Sequence, residues 1–309
     1  MPIVPFWFLP ALGAPALSAI GNYCDKFLLV HEQRTGGVGS ILIFSSIFGA
    51  LVLPIAYFFG DVFSMPMLEG LVLMGNGFLW VATLAAYLYA IRDDDIVSVM
   101  PALQTFPVFG FILGYLILGE TLTTYQMIGS AVVVLCAMLL SIEIEEDTRY
   151  RFRWRSFSWA LISAFLLAIS GVVFKLYAVE RGFWETQFWE FAGISLAGVL
   201  LFLFVAHYRR GFLSVIRGRR LEVVGLNFMM ESIMVGSDLL LGYATLLAPI
   251  ALVYAVNSFQ PAFVLVFALI AATLAPHLMS ELGFLRRHVA LKTITIAVMI
   301  LGAFVLYLG

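Results

Sequence analysis

Apolar residues run along this chain in stretches of about 20, separated by short polar connections. That is the length needed to cross a bilayer hydrocarbon core of roughly 30 Å as a helix. Set against the charged positions, windows of about 19 residues predict ten spans: 4–24, 40–59, 69–90, 96–117, 124–142, 157–178, 187–207, 223–245, 250–274 and 290–308. The pattern predicts an all-α integral membrane protein. The first span begins at residue 4 with no Lys or Arg ahead of it, unlike a secretory signal peptide, so it is expected to stay as a helix.

Composition narrows the class. With 62% hydrophobic and 12% charged residues and a mean hydropathy of +1.03, the 309 residues hold too little polar surface for a soluble fold. A net charge of −2 leaves no basic footprint for a nucleic acid. Cys24 and Cys136 lie in or beside apolar stretches, as packing thiols rather than a disulfide framework.

Charge placement says more than charge total. Fifteen of the 17 Lys and Arg fall on the odd-numbered connections, and the other two, Lys175 and Arg181, flank the sixth. Cations collect on cytoplasmic loops, so both termini are expected to be non-cytoplasmic, in the plasma (inner) membrane. The densest stretches alternate Arg149, Arg151, Arg153 and Arg155 with aromatics, or mix Arg with Phe212, Leu213, Val215 and Ile216 over 209–220. Such stretches fix topology, and they can also gather anionic lipid headgroups.

Residues 97–107 laid over 251–261 pair Pro107 with Pro261 at an offset of 154, and the same offset pairs Tyr89-Ala90 with Tyr243-Ala244. Near the start of each half, Gly21 and Lys26 resemble Gly171 and Lys175. The chain then divides into five-helix repeats, 1–148 and 149–309, joined by a basic loop in one membrane domain. A unit with an odd number of spans inserts its second copy upside down, so the halves would form inverted repeats, the architecture of a carrier.

Leu118-Gly119-Glu120-Thr121-Leu122-Thr123, preceded by Pro107-Val108-Phe109 and followed by Gln126-Met127-Ile128-Gly129, resembles the recurrent stretch of EamA-type members of the drug/metabolite transporter superfamily. The resemblance implies ten helices in two five-helix repeats and a transport function. The second half departs from the motif, with Pro276-His277-Leu278-Met279-Ser280-Glu281 in place of Leu-Gly-Glu. Familiar members place both termini in the cytoplasm, opposite to the charge map here. Read physically, Gly119-Glu120 makes a tight turn, and Thr123 with Gln126 forms a capping box that starts helix 5. Gly110 and Gly114 present a small face for close helix approach.

Charges deep inside spans carry the chemistry, because each costs at least about 2.5 kcal/mol at the bilayer centre unless paired or hydrated. Helix 8 holds Glu231 and Asp238, seven residues apart on one face, a stripe suited to a cation or a proton. Lys26 and Lys175 are candidate counter-charges or substrate contacts, and Lys175 can also snorkel to the headgroups. Glu190, three residues into its predicted span, is expected at the interface. Asn76, Trp80, Thr83 and Tyr87 form one stripe on helix 3, and Tyr254, Asn257 and Pro261 another on helix 9. These can line a cavity that hydrogen-bonds a solute and stacks on its cationic part. Pro101, Pro107 and Pro261 are expected to bend or gate their helices.

The function that unites these features is secondary active transport, by alternating access, of a small polar, cationic or zwitterionic metabolite such as an amino acid, an amine or a drug-like solute. With no nucleotide-binding loop in the sequence, the driving force is expected to be protons or solute exchange. The alternatives are a translocator of lipid or lipid phosphate, and a membrane enzyme in which Asp93-Asp94-Asp95 holds Mg²⁺. The enzyme reading lacks a second acidic cluster, and neither zinc-ligand spacing nor a serine elbow occurs. No cofactor or metal is expected. The partners are a small solute and the bilayer, in a monomer or a homodimer.

Overall fold

In the computed structural model, which describes residues 6–32, 37–92, 101–141, 154–217, 221–274 and 289–307, every one of the ten apolar ranges overlaps helix, and the described residues contain no strand. Thirteen helices hold most of them: α1 (Phe8–Glu32), α2 (Gly37–Phe48), α3 (Val52–Phe59), α4 (Met67–Arg92), α5 (Phe106–Leu118), α6 (Thr124–Ser141), α7 (Trp154–Arg181), α8 (Phe183–Phe204), α9 (Ala206–Arg217), α10 (Leu221–Leu247), α11 (Ile250–Asn257), α12 (Gln260–Leu274) and α13 (Val289–Tyr307). A 3₁₀ turn, Gly49–Leu51, joins α2 to α3.

Seven segments among the described residues are long and apolar enough to cross a membrane: Gly37–Phe59, Met67–Arg92, Pro101–Leu118, Trp154–Arg181, Phe183–Phe204, Phe228–Leu247 and Ile250–Phe267. Three shorter apolar helices, Phe8–Gly21, Thr124–Leu140 and Thr293–Leu306, fall on the other three ranges. Large apolar side chains such as Phe58, Leu116, Phe204, Leu301 and Phe304 stand exposed on the outside. In water that surface would be a liability; against lipid it is the expected face of a multi-pass integral membrane protein.

Several local expectations are met. The Leu-Gly-Glu turn closes α5, with Gly119 in the left-handed region at φ +66° and the Gly119 and Glu120 N–H groups directed at the Gly114 carbonyl. The capping box is present: Thr123 N–H donates to Gln126 Oε1 at 2.9 Å, and Gln126 N–H to Thr123 Oγ1 at 3.2 Å. Cys136 is buried among Val133, Ala137 and Met299.

The prolines do more than bend. Pro107 and Pro261 each stand second in a new helix, α5 and α12, after interruptions at 104–105 and 258–259. Proline has no N–H to give the carbonyl four residues back, so the ladder stops, and a hydroxyl reinforces the turn just before each break. Thr105 Oγ1 donates to the Ala102 carbonyl at 2.6 Å, and Ser258 Oγ to that of Tyr254 at 3.2 Å. Pro101 opens a short helical turn at 101–103.

Packing ties the elements into one bundle. α4 lies against α7 and α8, α1 against α10, α11 and α12, α6 against α13, α5 against α7 and α11, and α2 and α3 against α8. Missing side chains let the backbones close in. A Cβ on Gly193 would meet the Met74 backbone, one on Gly77 the Glu190 carbonyl and the Ile194 nitrogen, and one on Gly129 the backbone of Gly302 and Leu306. At the bundle end that carries the 60–66, 119–123, 182 and 248–249 connections, Arg181 grips Glu69 through two bonds of 2.5 and 2.6 Å, and Asp61 N–H donates to Glu185 Oε1 at 3.0 Å.

The basic stretch after α8 is helical as far as Arg217 and lies along α2, where Tyr208 packs against Gly39. Tyr208 also bonds Tyr89 of α4 hydroxyl to hydroxyl at 2.6 Å. That bond, with burial second, pushes the Tyr208 phenol up to about 12. Asp93-Asp94-Asp95 and Arg149, Arg151 and Arg153 lie outside the described residues.

Candidate functional site

The buried polar groups gather where α4, α8 and α10 face one another. Gly77 and Gly193 bring α4 and α8 into backbone contact. The neighbouring Asn76 can therefore reach across: its Nδ2 donates to Glu190 Oε1 at 2.7 Å and to the Ser170 carbonyl of α7 at 3.1 Å. Asn76 and Glu190 are 3% and 8% exposed. Glu190 interacts electrostatically with Asp238 of α10, and Asp238 with Glu231. Glu231, also buried, accepts from Ser45 Oγ at 2.5 Å. No described residue makes a hydrogen bond or ion pair with the Asp238 carboxylate.

Helix arithmetic puts the three central groups in one layer. Asn76 is nine residues from the start of α4, Glu190 seven from the start of α8, and Asp238 nine from the end of α10. At 1.5 Å per residue these are depths of about 10–14 Å. The three ends share one side of the bundle, because Arg181 joins Glu69 there and Lys175 reaches Ala248. Glu231 is seven residues further along α10, about 10 Å deeper.

Glu190 corrects the sequence reading, which sets it at the interface. The helix starts at Phe183 rather than near 187, because Gly182 at φ +109° ends α7 and lets α8 begin one turn sooner. That turn carries Glu190 inward. Gln187, one turn before Glu190 on α8, is not singled out by the sequence, yet it is 3% exposed. Its Nε2 lies 3.0 Å from where a Cβ on Gly242 would be, one turn beyond Asp238. Its spacing of three from Glu190 is the available signal.

Lys175 is also corrected. It neither snorkels outward nor faces the acids of α10. It forms an ion pair with Glu120 and donates to the Ala248 carbonyl at 2.6 Å. The other Glu120 oxygen accepts the Ile250 N–H at 2.8 Å, capping α11. Three sequence-distant segments are thereby knotted at one end of the bundle. Lys26 lies on α1, and its side chain falls outside the described residues.

The aromatic and amide stripes divide. Trp80 and Tyr87 pack into an apolar cluster with Val235 and Leu239 of α10. Thr83 donates to the Leu79 carbonyl of its own helix at 3.0 Å. Tyr254 is 2% exposed, stacks edge-on to Phe106, and donates to the Leu167 carbonyl at 3.3 Å. It also interacts electrostatically with Glu190. Gly110 and Gly171 leave room for its ring and hydroxyl, which a Cβ at either would meet. Asn257 and Pro261 flank the break between α11 and α12, both half-buried. Among the described residues no group of three His, Cys, Asp or Glu is arranged to hold a metal ion.

Comparison with known proteins gives three findings. Residues 7–142 match the EamA-like transporter family. Protein LicB of Haemophilus influenzae is 26% identical over 213 residues, covering 67% of this chain and 70% of that protein. A protein of known crystal structure superposes with a TM-score of 0.59 at 14% identity, covering 98% of this chain and 96% of the other, so the two share a fold.

Proposed function

We propose that this chain, whose residues 7–142 match the EamA-like transporter family, is a secondary active carrier of the drug/metabolite transporter superfamily that moves a small polar, cationic or zwitterionic metabolite by alternating access, coupled to protons or to solute exchange. The observation that carries the reading is the layer of buried Asn76 and Glu190 beside the half-buried Asp238. Acids at membrane depth are costly and mark ion and substrate paths.

The pattern of contacts supports two inverted five-helix halves, 1–148 and 149–309, in a ten-span protein. Exchanging each span for the one five places on turns the α4–α7 contact into α10–α1, and α5–α7 into α1 with α11 and α12. It maps α6–α13, α5–α11 and the contact of α2 and α3 with α8 onto themselves, and all of these pairs are packed. The interruptions before Pro107 and Pro261 fall at equivalent places. Broken helices at a repeat interface are where carriers of this build place substrate.

In this reading Asp238 and Glu231 attract the positive group and Asn76 orients it. Trp80, Thr83, Tyr87, Tyr254 and Asn257 wall the path. Lys175 braces one end from outside the site. The Lys and Arg distribution supports termini outside the cytoplasm, and the basic face of α9 supports contact with anionic headgroups. The test is thermal stabilisation of the purified protein by amino acids, amines, nucleosides, sugars and lipid phosphates, beside Asp238→Asn. Specific ligands raise stability as RT ln(1 + [L]/Kd). A soluble cation or zwitterion that stabilises wild type and not Asp238→Asn is the expected result. Stabilisation by lipids alone would replace the reading with a lipid translocator.

A further inference from the structure

The hydrogen-bond inventory of the central layer is lopsided. Both donors of the Asn76 amide are spent, on Glu190 and on the Ser170 carbonyl, and the Tyr254 hydroxyl is spent on Leu167. The acceptors are in surplus. Asn76 Oδ1 and Gln187 Oε1 have no hydrogen-bond partner, although each residue is 3% exposed. The Asp238 carboxylate has none among the described residues. Gln187 lies on α8 one turn before Glu190, and its amide approaches Gly242, one turn beyond Asp238 on α10. Buried acceptors without donors are costly and rare, so the missing partner should bring donors and a positive charge.

We infer that the layer formed by Asn76, Gln187, Glu190 and Asp238 is a seat for a hydrogen-bond-donating ammonium group, that of a primary amine or of a zwitterion's amino end. This rests on the carrier reading and names the chemistry its site selects. An R–NH₃⁺ group offers three donors and no acceptor. These suit the Asn76 and Gln187 amide oxygens and one carboxylate, while the second carboxylate adds attraction. A fully alkylated ammonium has the same charge and no N–H, and would seal the two amide oxygens away from any partner. A neutral sugar or an anion meets the wrong charge.

The experiment measures thermal stabilisation of the purified full chain by ethylammonium, dimethylammonium and tetramethylammonium at matched concentrations, for wild type, Glu190→Gln and Gln187→Met. The expected order of affinity is ethylammonium, then dimethylammonium, then tetramethylammonium, the last weaker by on the order of ten- to a hundredfold for the orphaned acceptors. Gln187→Met removes one acceptor and should shrink the preference for ethylammonium over tetramethylammonium. That ratio is read within one protein, so a general loss of stability does not distort it. Glu190→Gln should weaken ethylammonium by about tenfold or more. Equal or better stabilisation by tetramethylammonium would overturn the donor requirement while leaving the carrier reading standing. No stabilisation by any of the three would overturn the ammonium seat, with water filling the layer instead. The carrier reading would fall separately, by failure of every solute class to be taken up into proteoliposomes.

Discussion

Substituting Gly193 by Ala tests whether glycine contact between α4 and α8 builds the site. The added Cβ would stand 2.6 Å from Met74 Cα and 2.7 Å from its carbonyl carbon. These are backbone atoms of a packed helix and cannot rotate aside. Ordinary contact begins near 3.4 Å, so the helices must part by close to 1 Å, and overpacking of this kind costs about 1–3 kcal/mol. The Asn76–Glu190 bond lies next to the contact at 2.7 Å. The same displacement stretches it past the limit of a useful hydrogen bond and strips a buried carboxylate of its donor. Gly75 is the control: it lies on α4, and a Cβ added there would meet nothing within 4 Å. At that position alanine should be neutral, or stabilising by up to about 1 kcal/mol through helix propensity. The assay is thermal unfolding in detergent, followed by binding of the best-stabilising solute. Gly193→Ala should lower the Tm and weaken binding, and Gly75→Ala should do neither. A Gly193→Ala protein with wild-type Tm and binding would refute the packing argument.

Other outcomes follow from the same geometry. Glu120→Gln should cost about 3–5 kcal/mol by leaving Lys175 charged and buried, and adding Lys175→Met should recover most of it, read as a double-mutant cycle of thermal unfolding. Gly171→Ala should destabilise by driving a Cβ onto the Tyr254 hydroxyl, and the same substitution in a Tyr254→Phe background should cost distinctly less. Thr123→Ala should remove the α6 cap and cost about 0.5–2 kcal/mol without altering solute binding.

Much of the fold is legible in the sequence because hydropathy and charge act locally. The ten apolar ranges, the capping box and the Leu-Gly-Glu turn need only neighbours in sequence. What is not legible depends on partners from elsewhere in the chain. Lys175 looks like an anchor because nothing near it in sequence reveals Glu120. Glu190 looks interfacial because Phe183-Trp184-Glu185-Thr186 lowers the hydropathy of the first turn of α8, although the helix runs through it. Gln187 gives no signal beyond its spacing from Glu190. The prolines read as bends, since sequence shows the lost N–H and not that the helix breaks outright and restarts with each proline in its first turn. Asn76 on α4 and Glu231 and Asp238 on α10 stand out in the sequence because a polar group inside an apolar span is visible locally. The α4–α8 contact that joins Asn76 to Glu190 rests on Gly77 and Gly193, which no local pattern pairs.

The most direct test of the carrier is solute uptake into proteoliposomes under an imposed pH gradient, with wild type and Asp238→Asn reconstituted side by side and a mixture of labelled amines and amino acids outside. The account predicts that wild type accumulates at least one of them above protein-free vesicles, and that Asp238→Asn, eluting from size exclusion as wild type does, accumulates none. Equal uptake by the two proteins would contradict it.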